Sequence, residues 1–357
     1  MQDKITLIIP TYNEKDNITP LIERIHLALS SYSYEIVLVD DNSQDGTIEI
    51  AESLASKYPV RVIVRRGEKG LATAVVHGLK FASGQIIGVM DADLQHPPEV
   101  LPDLVRAIEA GADMAIASRY VPGGGCPNWD LFRRMVSRGA LMLSHLLLPT
   151  TRKIKDPLTG FFMFRKEPVA GKELKPIGYK IILEIMLMGD FRHIVEVPFI
   201  FQERSAGKSK LRPRTQVDYL KHLWSLMSRT GEIRRFLKFI GVGISGTVVN
   251  IGVLRIVTAL THWNPKVQLV PGIEMSIITN FLLNDYFTFA DRRTGKRGSF
   301  FGRMGKYNVL ALAGAVINWG LAALLVHAGV NIFLADFIGI VVAFLWNYFF
   351  STIWAWK

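Results

Sequence analysis

The hydrophobic pattern of the chain changes character near Thr230. Before that point, short apolar runs alternate with amphipathic stretches. Ile5–Ile9, Glu35–Val39, Val60–Val64, Gln85–Met90 and Met114–Ala117 read as strands bounded by polar turns. Between them lie helical patterns over Asn17–Leu29, Thr47–Lys57, Gly70–Ala82 and Pro98–Ala110; in the first, Ile18, Leu21, Ile22, Ile25 and Leu29 recur at helical spacing. Repeated strand–helix units predict a parallel sheet covered by helices on both faces, an α/β fold with ligands at the carboxyl ends of its strands. Those ends carry Pro10-Thr-Tyr-Asn-Glu14, Asp40-Asp41 and Asp91-Ala-Asp-Leu-Gln95.

Beyond Thr230, long apolar stretches near 236–260, 267–290, 307–327 and 332–356 each supply roughly the 20 residues needed to cross a bilayer as a helix. Four transmembrane helices are therefore expected. The connector 291–306 holds Arg292, Arg293, Lys296, Arg297, Arg303 and Lys306 against one acid, Asp291, and Arg234, Arg235 and Lys238 lead into the first span. An excess of Lys and Arg marks the cytoplasmic side, which would put both termini and the N-terminal half there. Lys238–Asn250 and Lys306–Asn318 resemble each other, and Phe281-Leu-Leu-Asn284 echoes Phe344-Leu-Trp-Asn347, which suggests a duplicated pair of spans.

Composition sharpens this picture. The chain is 49% hydrophobic yet carries a formal charge of +11. That pairing suits a membrane protein facing anionic lipid or a phosphorylated substrate, and no nucleic-acid partner is expected. The single cysteine, Cys126, excludes an internal disulfide and a cysteine-based zinc site.

The chemistry lies at the strand ends. Asp91 and Asp93 leave a run apolar enough to be a central strand, where paired carboxylates are costly without a cation. With Gln95 they offer hard oxygen ligands suited to Mg²⁺ or Mn²⁺, ions that in turn suit a diphosphate. Asp41 is placed to hold a ribose or base edge, and Asp45 to cap the helix from Thr47. Glu203–Arg214, rich in basic residues with Gly207 and Pro213, reads as a cationic loop for phosphate contact. Thr215–Arg229 reads as an interfacial helix with Val217, Leu220, Leu223, Trp224 and Met227 on its apolar face.

Taken together, IIPTYNE, VDDNSQDGT, DADLQHPPEV and Asp156-Pro-Leu-Thr-Gly-Phe-Phe162 resemble the dolichol-phosphate mannose synthases of glycosyltransferase family 2, and 233–357 resembles the GtrA-type membrane domain fused to archaeal-type members. The resemblance implies a GT-A catalytic domain over 1–214, an interfacial region over 215–232 and a four-helix membrane domain over 233–357. It also implies an integral membrane protein of the cell membrane that moves mannose from GDP-mannose to dolichyl or polyprenyl phosphate with inversion. Pro10, Tyr12, Glu14, Val39, Asp41, Asp91, Ala92, Asp93 and Gln95 would then line the nucleotide sugar, with Asp93, Gln95 and Asp91 toward the metal. Arg119, Arg133 and Ser137 would hold the acceptor phosphate, and Arg204 and Lys210 would close over the donor phosphates. Sequence does not decide whether Arg133 or its neighbour Arg134 points inward. A glucosyltransferase using UDP-glucose is the alternative within the same class. A processive synthase is disfavoured by the lack of a QxxRW signature. Glu274, Asp285 and Asp336, charges within apolar stretches, motivate a lipid-flipping activity in the membrane half.

Overall fold

The computed structural model describes residues 3–203, 213–293 and 299–356. The chain divides into two compact units, Met1–Met227 and Ser228–Lys357.

The first unit is built on a seven-stranded sheet. Its elements in chain order are β1 (Ile5–Thr11), α1 (Lys15–Ala28), β2 (Tyr34–Asp40), α2 (Thr47–Leu54), β3 (Val60–Val64), α3 (Leu71–Leu79), β4 (Ile86–Val89), α4 (Leu101–Glu109), β5 (Met114–Ser118), α5 (Leu131–Leu147), β6 (Phe162–Arg165), α6 (Ile181–Met188), β7 (Ile194–Pro198) and α7 (Pro213–Arg229). The strand order is β3-β2-β1-β4-β6-β5-β7. Ile5, Leu7, Ile9, Ile36, Leu38 and Ile86 are buried against Ile18, Leu21, Ile22 and Ile25 of α1, as the helical spacing anticipates.

One strand departs from the expected all-parallel sheet. β6 runs antiparallel between β4 and β5, with Phe162 opposite both Val89 and Ile116. This reversal has a consequence for the site. A parallel strand brings its exit to the carboxyl edge, whereas β6 brings its entry there. The segment Asp156–Phe161 is thereby delivered beside the exits of β4 and β5.

In α7, the apolar face is split. Tyr219, His222, Leu223, Leu226 and Met227 are buried, while Val217, Leu220 and Trp224 are exposed. The Tyr219 hydroxyl donates to the Ala140 carbonyl of α5 (2.7 Å), and His222 Nε2 lies 3.0 Å from Glu184 of α6. The helix is thus fastened to α5 and α6 on one side and leaves an apolar strip on the other. α5 does the same with exposed Leu131, Phe132, Met135 and Met142.

The second unit contains α8 (Glu232–Leu260), α9 (Pro265–Leu283), α10 (Phe300–His327) and α11 (Ile332–Phe350). Among the described residues, three helices are long and apolar enough to cross a membrane: Glu232–Leu260, Phe300–His327 and Ile332–Ala355. Three of the four expected spans meet this measure. α9 is a helix, but Lys266, Gln268, Pro271, Glu274, Ser276 and Asn280 lower its apolarity.

The duplication is present, in a register different from that expected for its second half. In the α8–α9 hairpin, a side chain at Gly246 would collide with Asn280, and one at Gly272 with Asn250. In the α10–α11 hairpin, Gly314 meets Asn347 and Gly339 meets Asn318 in the same way. The counterpart of Asn347 is therefore Asn280, not Asn284. The π turns Asn284–Thr288 and Ser351–Ala355 follow at matching places, and each is capped by a lysine: Lys238 Nζ donates to the Phe287 carbonyl (3.1 Å) and Lys306 Nζ to that of Trp354 (3.2 Å). Small residues admit the facing amides at close range, which fixes helix register within an apolar surround.

Asp285 lies in the first π turn, buried, with Arg303 at 2.7 and 3.1 Å and the Trp356 indole N–H at 2.8 Å. It ties the two hairpins together. Glu274 and Asp336 are exposed on their helices.

Candidate active site

Three loops at the carboxyl edge form the floor of the site, and each turns through a non-glycine residue with positive φ: Asn13 (52°) after β1, Asn42 (61°) after β2 and Leu94 (63°) after β4. Asn tolerates this region, while Leu pays a steric cost that surrounding structure must offset. The first two loops are cross-linked. Asn13 N–H donates to Ser43 Oγ (2.8 Å), Glu14 N–H to Thr47 Oγ1 (2.9 Å), and Gln44 N–H to Asn13 Oδ1 (3.1 Å). Asp40 is fully buried and organises the turn by accepting from Thr11 Oγ1 (2.8 Å), Ser43 N (2.6 Å) and Ser43 Oγ (2.7 Å). Asp45 accepts from Thr47 N (3.1 Å), but the cap position of α2 is Gly46, so Asp45 braces the turn ahead of the helix rather than serving as the expected cap.

The residues expected to line the nucleotide are distributed unevenly. Tyr12 is 37% exposed beneath the Lys69 ammonium, which lies 4.6 Å from its ring. Pro10 and Glu14 are half-buried beside it. Asp41 is held by Arg65, which donates to Oδ1 through Nε (2.8 Å) and Nη2 (2.5 Å), while Gly70 N–H reaches Oδ2 (2.7 Å). Its charge is therefore already neutralised, and the pair shapes the 65–70 loop. Val39 is wholly enclosed in the core, so its side chain presents nothing to a ligand.

Asp91 is half-buried, and Ala92 and Asp93 are buried. Asp93 Oδ1 accepts from Gln95 N–H at 3.1 Å. Gln95 and Gln202 are joined twice, through Gln202 N–H to the Gln95 carbonyl (3.0 Å) and Gln95 Nε2 to the Gln202 carbonyl (3.3 Å). The amide nitrogen is thereby turned toward Gln202, leaving Oε1 as the acceptor. Among the described residues no three His, Cys, Asp or Glu side chains cluster as a self-sufficient metal site. Two carboxylates and an amide oxygen are instead a set suited to a small divalent ion that completes its shell with substrate phosphates.

Beneath this loop sits His96, 2% exposed. Its Nδ1 accepts the Asp91 N–H (3.1 Å), and its ring stacks on Phe161 at 5.2 Å. Burial, above all, pushes its pKa down to about 4, so the ring is neutral and can act as that acceptor. Gly160 explains the closeness of the β6 entry. A Cβ there would lie 3.1 Å from Asp91 Oδ2 and 3.2 Å from His96 Cε1.

Arg119 leaves β5 at the same edge. Its Nε and Nη2 each lie 2.8 Å from the Asp156 carboxylate, and its backbone N–H donates to the same group at 3.0 Å. Burial works against the guanidinium charge, but Asp156 outweighs it and the pKa rises above its ordinary value. The Trp129 ring lies 5.2 Å from the Arg119 guanidinium and 4.4 Å from that of Arg133. Phe201 lies 5.7 Å from both and 5.8 Å from His96. One aromatic ring thus joins the carboxylate loop to the paired arginines. Ser137 Oγ is 2.9 Å from the Tyr120 hydroxyl. Arg133 stacks on Trp129, whereas Arg134 lines a recess of about 390 Å³ with Arg119 and Arg138 and donates to the Pro127 carbonyl (3.1 Å). Both arginines of the adjacent pair therefore face this region.

Arg204 and Lys210 lie outside the described residues. Sequence reasoning missed Trp129, His96 and Lys180, and gave Asp156 no role. Lys180 donates to the Leu158 carbonyl (2.6 Å). Its pKa falls to about 8 through burial first and Arg119 second, against the pull of Asp156 and Asp91. A lone lysine before an apolar helix carries no signal of this placement. Asp156 did stand within a quoted motif, and an acid just ahead of a buried strand was the available clue.

Comparison with known proteins agrees with these features. The profile of glycosyl transferase family 2 matches residues 6–170, and that of the GtrA/DPMS transmembrane domain matches 238–356. The chain is 49% identical over 342 residues to the dolichol-phosphate mannosyltransferase of Pyrococcus furiosus, covering 96% of each chain. It is 38% identical over 239 residues to that of Saccharomyces cerevisiae, covering 63% of this chain and 88% of the relative. Among solved structures, glucosyl-3-phosphoglycerate synthase from Mycobacterium tuberculosis, in complex with Mn²⁺, UDP-glucose and phosphoglyceric acid, is similar at a TM-score of 0.52 and 20% identity, covering 64% of this chain and 80% of that one. At that identity the likeness concerns the fold of the catalytic unit.

Proposed function

Since the chain belongs to the dolichol-phosphate mannosyltransferase family, we propose that it transfers mannose from GDP-mannose to dolichyl or a related polyprenyl phosphate, with inversion, at the cytoplasmic membrane face. The observation that carries this reading is the shared Phe201 ring, which sets the Asp91–Gln95 loop beside the Arg119–Arg133 pair. A donor diphosphate and an acceptor phosphate can then meet at one sheet edge. The basic connector and the exposed apolar strips of α5 and α7 support a catalytic unit that rests on the cytoplasmic surface of the cell membrane.

The residues divide the work as follows. Tyr12, Glu14 and Asp41 border the nucleoside. Asp91, Asp93 and Gln95 would hold Mg²⁺ or Mn²⁺. When bound, such an ion neutralises charge that builds on the departing diphosphate. Arg119, fixed by Asp156, and Arg133, stacked on Trp129, present two cations to the acceptor phosphate. Ser137 adds a hydroxyl. A phosphate monoester is largely ionised near neutral pH, so attack requires no strong general base. Oxygen of the lipid phosphate forms the new bond to the anomeric carbon as the donor diphosphate oxygen leaves. A single displacement inverts that carbon and yields a β-linked mannosyl lipid from an α-linked donor. Arg204 and Lys210 complete the proposal as contacts to the donor phosphates.

Purified full-length protein offered a polyprenyl phosphate with GDP-mannose and UDP-glucose in parallel tests the donor. Mannosyl lipid from GDP-mannose is expected. Preferential glucosyl transfer from UDP-glucose would replace the mannose assignment while leaving the site intact.

A further inference from the structure

The duplicated hairpins of the membrane unit are not equivalent at the ends that carry Lys238 and Lys306. Beside Lys238 there is a groove of about 620 Å³ lined by Arg234, Leu237, Lys238, Gly241, Leu283 and Phe287, among others. In the register set by the Gly–Asn pairs and the π turns, Lys238 corresponds to Lys306. Gly241 then corresponds to Val309, Leu283 to Phe350, Phe287 to Trp354 and Arg234 to Gly302. The second hairpin thus carries larger side chains at Val309, Phe350 and Trp354, a smaller one at Gly305 where the first has Leu237, and no cation where the first has Arg234. Both hairpins keep the lysine, because it caps the π turn. The first has additionally acquired an open apolar channel and a second positive charge.

Arg234 is exposed and makes no hydrogen bond or ion pair among the described residues. Leu237 is 59% exposed and Phe287 54%, so the channel wall faces outward from the helix pair. At Gly241 an added Cβ would meet no atom within 4 Å, so the protein's own packing does not require glycine there. An apolar channel ending in two cations, on a helix apolar enough to cross a membrane, is complementary to an amphiphile with an anionic head.

We infer that this groove binds an anionic membrane phospholipid, one chain along Leu237, Gly241 and Leu283 and the phosphate on Arg234 and Lys238. A bulk membrane lipid is the occupant because it is present in large excess, which favours it by mass action over a scarce acceptor. The inference rests on the membrane unit alone and holds whichever sugar the catalytic unit transfers.

Native mass spectrometry of the delipidated full-length protein reads the binding directly. Phosphatidylglycerol, phosphatidylcholine and a polyprenyl phosphate would be added singly and in competition. One phosphatidylglycerol is expected to be retained with about 25-fold preference over phosphatidylcholine, as two cations near a headgroup would give. Arg234→Gln should lower that retention about fivefold. Gly241→Val, which installs the second hairpin's residue, should abolish it without loss of helical content or thermal stability. Equal retention of phosphatidylcholine, or unchanged binding in Gly241→Val, would overturn the site. Displacement of phosphatidylglycerol by equimolar polyprenyl phosphate would overturn the choice of occupant.

Discussion

Arg119 and Asp156 meet in a bidentate pair, both contacts 2.8 Å, with Arg119 only 8% exposed and Asp156 fully buried. Arg119 follows β5 and Asp156 precedes β6, neighbouring strands of opposite direction, which brings the exit of one beside the entry of the other. The guanidinium is therefore oriented before any ligand arrives, and its remaining donors are aimed by a rigid partner. Replacing Asp156 by Asn leaves a buried cation without its counter-charge, and a loss of stability of about 3–5 kcal/mol is expected in thermal or denaturant unfolding. Arg119→Lys should hold the fold better but lose the fork. Its transfer rate should fall roughly tenfold to more than a hundredfold, equivalent to about 1.5–3 kcal/mol. Donor affinity, measured separately by titration with the nucleotide sugar, should stay near wild type. Weakened donor binding with an intact acceptor step would reassign Arg119 to the donor side.

Trp129 underlies both arginines, at 5.2 and 4.4 Å from their guanidinium carbons. Cation–π contacts of this kind contribute about 0.5–2 kcal/mol each. Trp129→Leu should raise the acceptor KM several-fold, and Trp129→Phe should recover part of the loss. Steady-state assays at varied polyprenyl phosphate, with saturating donor, separate this from a fall in kcat.

Gly160→Ala places a methyl group 3.1 Å from Asp91 Oδ2. The Asp91 carboxylate and the His96 ring must each give by a few tenths of an ångström to accommodate it. Because groups that orient metal ligands typically alter metal affinity by 10–100-fold, the Mn²⁺ concentration for half-maximal transfer should rise by about tenfold or more. A titration of activity against Mn²⁺ checks this, and an unchanged midpoint would remove Asp91 from the metal's surroundings.

Glu35 supplies a pH-dependent term in the sheet. Burial pushes its pKa up, but hydrogen bonds from Thr6, Ser83 and Lys4 outweigh this and hold it at about 2, below the ordinary 4.5. The folded state thus favours the carboxylate. Its contribution to stability is complete above pH 4.5 and disappears as pH falls through about 2. Melting temperatures recorded across that window should decline more steeply for the wild type than for Glu35→Gln, which should also be less stable at neutral pH.

Much of the site was legible because it lies at strand exits. β1, β2 and β4 are apolar runs ending abruptly in Pro10-Thr11, Asp40-Asp41 and Asp91, and local periodicity suffices to find such boundaries. Long-range pairing was not legible. Phe162–Arg165 is too short to reveal its direction, so neither the antiparallel β6 nor the delivery of Asp156 to Arg119 could be read. Trp129 sits in a turn-rich stretch with no periodicity, and its partners are set by the tertiary fold. Arg65 is separated from Asp41 by a strand, so the neutralisation of that acid was invisible. In the membrane unit the repeat was legible in its first half. The local likeness of two Phe-Leu-X-Asn segments then misled the register of the second, because it is the Gly–Asn contacts across each hairpin that define it.

The central claim is that the Asp91–Gln95 loop and the two arginines together move one mannosyl group onto a lipid phosphate. The most direct measurement is stoichiometric: full-length protein, GDP-mannose, dolichyl phosphate and Mn²⁺, with released GDP and mannosyl lipid quantified in the same reaction by mass spectrometry. The account predicts one mannosyl lipid for each GDP released, and loss of both products in Asp93→Asn and in EDTA. GDP release without mannosyl lipid, or undiminished transfer by Asp93→Asn, would contradict it.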